Sequence, residues 1–171
     1  PHLKDREQLT WLRRLELEHE NLRAALHWLI EQNETQVALR LAGALWRFWH
    51  SRGYWSEGQH WLHLALNLPQ SESFPDARAK ALGGAGRLAL HLGNTVAGRN
   101  QLGACVALYR ESGNKQGLAE SLTMWEVNYR NAPLTLRPLL EESIHIAREI
   151  GDRWILATAL QELGCFLLSH E

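Results

Sequence analysis

Arg110-Glu111-Ser112-Gly113-Asn114 returns 38 residues later as Arg148-Glu149-Ile150-Gly151-Asp152. A second echo, Ala81-Leu82-Gly83-Gly84-Ala85-Gly86 against Ala159-Leu160-Gln161-Glu162-Leu163-Gly164, lies about two periods apart. A fixed period of this size marks a solenoid, in which one helical hairpin cannot bury its apolar face until neighbours stack on it. The chain is therefore expected to be all-α, a series of antiparallel helical hairpins, and to bind rather than catalyse.

Ahead of the repeat, residues 3–33 read as helical, with Leu9, Leu12, Leu15, Leu22, Leu26 and Leu29 at spacings of three, four or seven. Glu16-Leu17-Glu18-His19-Glu20-Asn21 can divide this segment, with Asn21 as an N-cap; the sequence leaves one helix or two open. From Gln36 to Ser51 a helix carries two apolar stripes, Leu41, Leu45 and Phe48 on one and Ala38, Ala42, Trp46 and Trp49 on the other. Apolar on two sides, it should lie sandwiched between neighbours. Gly53 supplies its stop, and a second helix from Ser56 to Leu68 ends before Pro69.

The stretch 69–75, rich in Pro and Ser, reads as a linker. Helices are then predicted over 76–92, 96–112, 116–130 and 135–150, with turns at Gly93-Asn94 and at Arg130-Asn131-Ala132-Pro133. Pro138 must sit in the first turn of its helix, because deeper it would cost about 3 kcal/mol. The predicted units are a leading segment (1–35), repeat 1 (36–68), a linker (69–76), repeat 2 (77–114), repeat 3 (115–152), and the first helix of a truncated repeat 4 (153–171). That last helix would expose an apolar face and open a route to self-association.

Composition agrees with an ordinary globular domain: 45% hydrophobic and 22% charged residues in a chain of 171. No apolar run reaches the ~18 residues of a membrane span, since Arg40, Arg47 and Arg87 interrupt the best candidates. The chain opens Pro1-His2-Leu3-Lys4-Asp5, with no secretory leader and no initiator Met, which suggests a piece of a longer cytoplasmic protein. Cys105 and Cys165 stand in apolar helical patterns without partners at metal-ligand spacing, and read as free thiols. The net charge of −1 argues against direct nucleic-acid binding by this segment. The charge is uneven, however: 76–110 holds five basic residues and one acidic.

The placement of small residues resembles the tetratricopeptide repeat. Leu82, Gly86, Gly98, Leu102 and Cys105 occupy its large and small positions in one repeat, and Ala42, Trp46, Gly58, Leu62 and Ala65 in the one before. Trp46 and Glu126 fall where a small residue is usual, so those hairpins should be splayed or shifted, and spacings of 38 to 40 exceed the usual ~34. A closer resemblance covers most of the chain. Trp11-Leu12-x-x-Leu15-Glu16-x-Glu18-His19-Glu20-Asn21-Leu22-Arg23-Ala24-Ala25-Leu26 and Leu41-Ala42-x-x-Leu45-Trp46-x-Phe48-Trp49-x-x-x-Gly53 look like the start of a particular helical region. It follows the ATPase and winged-helix domains of bacterial STAND-type regulators, many of them LuxR-type or related transcriptional regulators. The resemblance implies a right-handed, tetratricopeptide-like superhelix acting as sensor or scaffold arm of a multidomain cytoplasmic switch.

Catalytic signatures are missing from the sequence. The glycine cluster 83–86 lacks the lysine of a phosphate-binding loop, so any ATPase of the parent lies outside this segment. Glu57, His60 and His63 share a broad helix face, but the spacing is not the zinc-helix His pair at i, i+4, and no metal or cofactor is expected. The eight Trp are read as gap fillers between long helices rather than as an aromatic cage.

In tetratricopeptide arrays the first helices line a concave groove. Carrying those positions over selects Arg40, Arg47 and His50, then Lys80, Arg87 and His91, then Glu120, Arg130 and Asn131, with Gly43 and Gly83 leaving room. Arg47 and Arg87, one repeat apart in the same register, would stack as a basic ladder suited to a carboxylate, phosphate or acidic peptide. The expected function is a noncatalytic sensor or protein-interaction module binding a protein, peptide or small anionic effector there. The alternative is a purely structural repeat scaffold or self-association arm.

Overall fold

The computed structural model describes residues 7–125 and 135–170, and within them the chain is all helical, with no strand. In chain order the helices are α1 (Gln8–Leu17), α2 (His19–Glu31), α3 (Thr35–Arg52), α4 (Trp55–Leu66), α5 (Pro75–His91), α6 (Thr95–Glu111), α7 (Lys115–Leu122), α8 (Leu136–Ile150) and α9 (Arg153–Leu168). A single 3-10 turn, Ser71–Ser73, lies between α4 and α5.

The turns explain the period. Gly53, Gly93, Gly113 and Gly151 take the left-handed conformation that ends a helix, with φ between 68° and 82°. The residue after three of them caps the next helix: Asn94 accepts from the Ala97 N–H, Asn114 from Gly117, and Asp152 from Trp154 and Ile155. The same 6→1 bond closes every one of these turns, as in Asn94 N–H to the Ala89 carbonyl at 2.9 Å and Asp152 N–H to Ala147 at 3.0 Å. Asn33, with φ 55°, does the glycine's work between α2 and α3.

Packing runs between neighbours. Helix α3 lies on α4 and α5, α5 on α4 and α6, α6 on α7, α7 on α8, and α8 on α9, while α2 reaches α3 and α4. Helix α5 is the most enclosed, with Ala79, Ala81–Gly86 and Leu88–Leu90 all buried. It lies this close to α6 because a Cβ on Gly86 would come within 2.9 Å of the Gly98 carbonyl oxygen. Fully buried Phe48, Trp49, Leu62, Leu88, Leu102 and Ile155 form the centre of the core, each aliphatic one contributing about 2 kcal/mol. Both predicted stripes of α3 are inside, Leu41 being half-buried, and so is Leu39, which neither stripe included.

Several expectations need correction. The leading segment is two helices, broken at Glu18, but Asn21 is not the cap: it lies inside α2 and donates to the Glu18 carboxylate at 2.7 Å. The bulk of Trp46 is met across the α3–α5 interface, where a Cβ on Gly84 would stand 2.6 Å from the Trp46 Cβ. Glu126 lies outside the described residues.

The helix predicted over 116–130 stops at Leu122. There the Ser121 and Thr123 hydroxyls donate to the Leu118 and Glu120 carbonyls at 2.8 Å, and 3-10-type bonds close on Glu120 and Ser121. The turn predicted at 130–133 lies outside the described residues. Pro138 is in the first turn of α8, as the steric argument requires. The stretch read as a linker is tied down: Thr35 donates to the Pro69 carbonyl, and Arg78 donates to the Leu66 carbonyl and the Ser71 hydroxyl.

Candidate functional site

Helices α3, α5, α7 and α9 bring the polar positions selected from the sequence to one shared face. Arg47 of α3 donates through Nη2 to Glu120 Oε1 of α7 at 2.6 Å. Its guanidinium carbon lies 4.5 Å from the Trp46 ring centre and 4.6 Å from that of Trp154 at the start of α9. Arg87 of α5 donates to the Met124 carbonyl at 3.2 Å, taking up an oxygen left over where α7 ends. Burial pushes the Glu162 carboxyl on α9 up, with the Arg87 charge acting against it.

Beside this arginine pair, His50 and His91 face each other with their Nε2 atoms 2.6 Å apart, one donating and the other accepting. His91 stacks on Trp55 at 5.0 Å, and His50 meets Trp46 edge-on at 6.0 Å. Burial, then the charges of Arg87, His91 and Arg47, hold His50 down to about 4; burial and Arg87 lower His91 as well. Both imidazoles are therefore neutral at neutral pH, as a single N–H···N bond between them requires.

The structure thus gathers Arg47, His50, Arg87 and His91, and places Glu120 with them. Arg40 and Lys80 are exposed in the N-terminal halves of α3 and α5. Arg130 and Asn131 lie outside the described residues. The room expected at Gly43 and Gly83 is taken: a Cβ would meet the Ala81 nitrogen at 3.3 Å and the Cys105 sulfur at 3.1 Å. Arg47 donates to Glu120 and Arg87 to the Met124 carbonyl, so an anion arriving here competes with Glu120. Trp154, Met124 and Glu162 are not among the carried-over groove positions, and no local pattern marks them.

A second polar cluster escaped the sequence reading. Glu57 of α4 accepts from Arg23 Nε and Nη2 at 2.8 and 2.7 Å, and lies 2.9 Å from His19 Nε2. Burial works against its charge, but the Arg23 and His19 bonds and charges hold its carboxyl below the usual range. His19 also stacks on Tyr54, whose hydroxyl donates to Glu16, and Arg52 pairs with that same carboxylate at 2.8 Å. Glu57 thereby fastens α2 to α4. His60 and His63 are exposed, and among the described residues no group of three or more His, Cys, Asp or Glu could hold a metal ion. Cys105 is buried, its thiol pushed up to about 12 by burial; Cys165 is half-buried. Of the described helices, none is long and apolar enough to cross a membrane.

No protein-family model matches the chain. Three curated proteins, provisionally named HTH-type transcriptional regulators, are each 29% identical to it over 158 residues: two from Mycobacterium tuberculosis strains and one from Mycobacterium bovis. The match covers 88% of this chain, which spans only 18% of the length of those relatives. The likeness supports a kinship with transcription regulators. It overturns two expectations: a noncatalytic sensor or interaction module for proteins, peptides or small anions, with its scaffold alternative, and a segment without nucleic-acid contact. Relatives named for a DNA-binding motif point to a DNA-binding regulator instead. The exclusion of nucleic acid rests on the chain-wide charge of −1, an average that carries no information about the basic stretch 76–110.

Proposed function

We propose that this chain is a helical segment of a cytoplasmic, DNA-binding transcriptional regulator of the helix-turn-helix type. The observation that carries the reading is the 29% identity to three so-named regulators along 88% of the chain. The finer assignment is a right-handed, tetratricopeptide-like superhelix of a STAND-type regulator whose ATPase domain lies elsewhere in the parent. Neighbour-to-neighbour packing supports it, as does the close approach of Gly86 to Gly98 at the family's small positions. Within that reading the repeat units are 36–68, 77–114 and 115–152, with 1–35 packed on the first and 153–171 opening a fourth. No chemistry is assigned to these helices.

The test is selection of bound fragments from a random duplex DNA library by the full-length regulator, followed by anisotropy titrations at low and physiological salt. Sequence-selective binding that weakens as salt rises is the expected result, since phosphate contacts release counterions. Equal retention of every sequence, or of none, would overturn the proposal. Running the 171-residue chain in parallel shows whether these helices contribute phosphate contacts of their own.

A further inference from the structure

Among the described residues the larger helix–helix interfaces of this stack join neighbours, but one side chain reaches much further. Arg47 on α3 pairs with Glu120, 73 residues on, and its guanidinium also lies against Trp154 on α9. One side chain therefore spans from the first hairpin to the last described helix. We propose that Arg47, held between Trp46 and Trp154 and paired with Glu120, is a latch that keeps the helical stack closed, and that its release gives a second, opened arrangement. The inference rests on this geometry alone and stands apart from the DNA-binding reading.

Two features make the contact a latch rather than one more piece of core. First, both partners are reachable by water: the side chains of Arg47 and Glu120 keep 20% and 18% exposure. Breaking the pair hydrates both charges instead of stranding one inside, so an open state is accessible. Second, the connection between α3 and α9 has a weak point. Helix α7 has only eight residues and ends in non-helical Thr123, Met124 and Trp125, tied to α5 by the bond from Arg87 to the Met124 carbonyl. In a stack where each hairpin touches only the next, small rotations at each interface add up. A bridge from α3 to α9 fixes their sum, and without it the hinge at α7 is free to take up a different one.

The test measures the distance between α3 and α9. Spin labels go on Arg40→Cys and Gln161→Cys, both exposed positions, in a Cys165→Ser background; buried Cys105 stays unlabelled. Electron–electron double resonance should give one short distance in the parent chain. Glu120→Gln should move part of the population to a longer distance at unchanged helix content by circular dichroism. Glu120→Lys, which repels Arg47, should move more of it. Trp154→Leu, which keeps the ion pair and removes one aromatic face, should give an intermediate loss of the short distance. A single unchanged distance in both Glu120→Gln and Trp154→Leu, even with a lower melting temperature, would overturn the latch and leave the pair as plain stabilisation. Those two variants decide the matter if Glu120→Lys does not fold.

Discussion

Arg47–Glu120 and Arg110–Glu142 are ion pairs of the same length, 2.6 Å, in opposite settings. The first sits on the shared face of α3, α5, α7 and α9, its side chains 20% and 18% exposed, between two indole rings. The second joins α6 to α8, its side chains 51% and 35% exposed, and the Lys115–Glu149 contact between α7 and α8 is more solvated still at 56% and 49%. Distance alone does not tell these pairs apart. Water screens the outer one and competes for its hydrogen bonds, whereas aromatic walls leave the inner one only partly open to water and add their own attraction. Charge on the inner face shapes the fold, and charge on the outer face decorates it.

The largest effect should come from removing the wall itself. Trp46 is 5% exposed and fills the space left by Gly84 on α5. Trp46→Ala should cost about 3–5 kcal/mol, because the cavity has rigid helix backbone on its far side and cannot collapse fully. Urea unfolding followed by circular dichroism measures it. A cost under about 1 kcal/mol would mean that the inner face carries no more stability than the outer one.

Next comes the histidine pair, which makes the inner face sensitive to acid. His50 is held down to about 4 in the folded chain, against about 6.5 when unfolded. Between those values the unfolded chain takes up a proton that the folded chain refuses. The associated stability is present above about pH 6.5 and is lost as pH falls toward 4, up to about 3 kcal/mol at 1.4 per unit. His91 is lowered too and adds loss in the same direction. Glu162 is raised, so it runs the other way, gaining stability as pH falls toward the ordinary carboxylate range. His50→Gln isolates the histidine contribution: its unfolding free energy should change less between pH 7 and pH 5 than that of the parent chain. Parallel curves for the two proteins would show that His50 is not neutral in the fold.

How much of this was visible in the residues follows from the range over which each signal acts. Gly113-Asn114 and Gly151-Asp152 announce a stop and a cap within two residues, and the structure uses both as such. Gly86 and Gly98 encode a close approach because nothing larger fits there. The end of α7 was missed, since the hydroxyls of Ser121 and Thr123 compete with the helix only through local bonds that the apolar period of 116–130 does not register. Aligning repeats brought Arg47, His50, Arg87 and His91 to one face, but an alignment cannot say whom an arginine meets. The partner of Arg47 lies 73 residues away, and that of Glu57, Arg23, lies 34 residues back. Pairings at such separations depend on how far the stack turns, which no local pattern carries. Charge averaged over the chain misled for the same reason, because it discards position.

The smallest expected effect belongs to the outer ion pair. A double-mutant cycle on Arg110→Ala and Glu142→Ala should return a coupling below about 1 kcal/mol that shrinks further in high salt, because both side chains already have water to fall back on. The same cycle on Arg47→Ala and Glu120→Ala should return about 1.5–3 kcal/mol and respond less to salt, as expected for a charge-assisted bond shielded by rings. Truncating Arg47 also frees the faces of Trp46 and Trp154, so the cycle is needed to separate the ionic coupling from lost packing; the single variant alone would inflate it. Equal couplings at the two sites would mean that water reaches Arg47 as freely as it reaches Arg110, and that the aromatic walls only look protective.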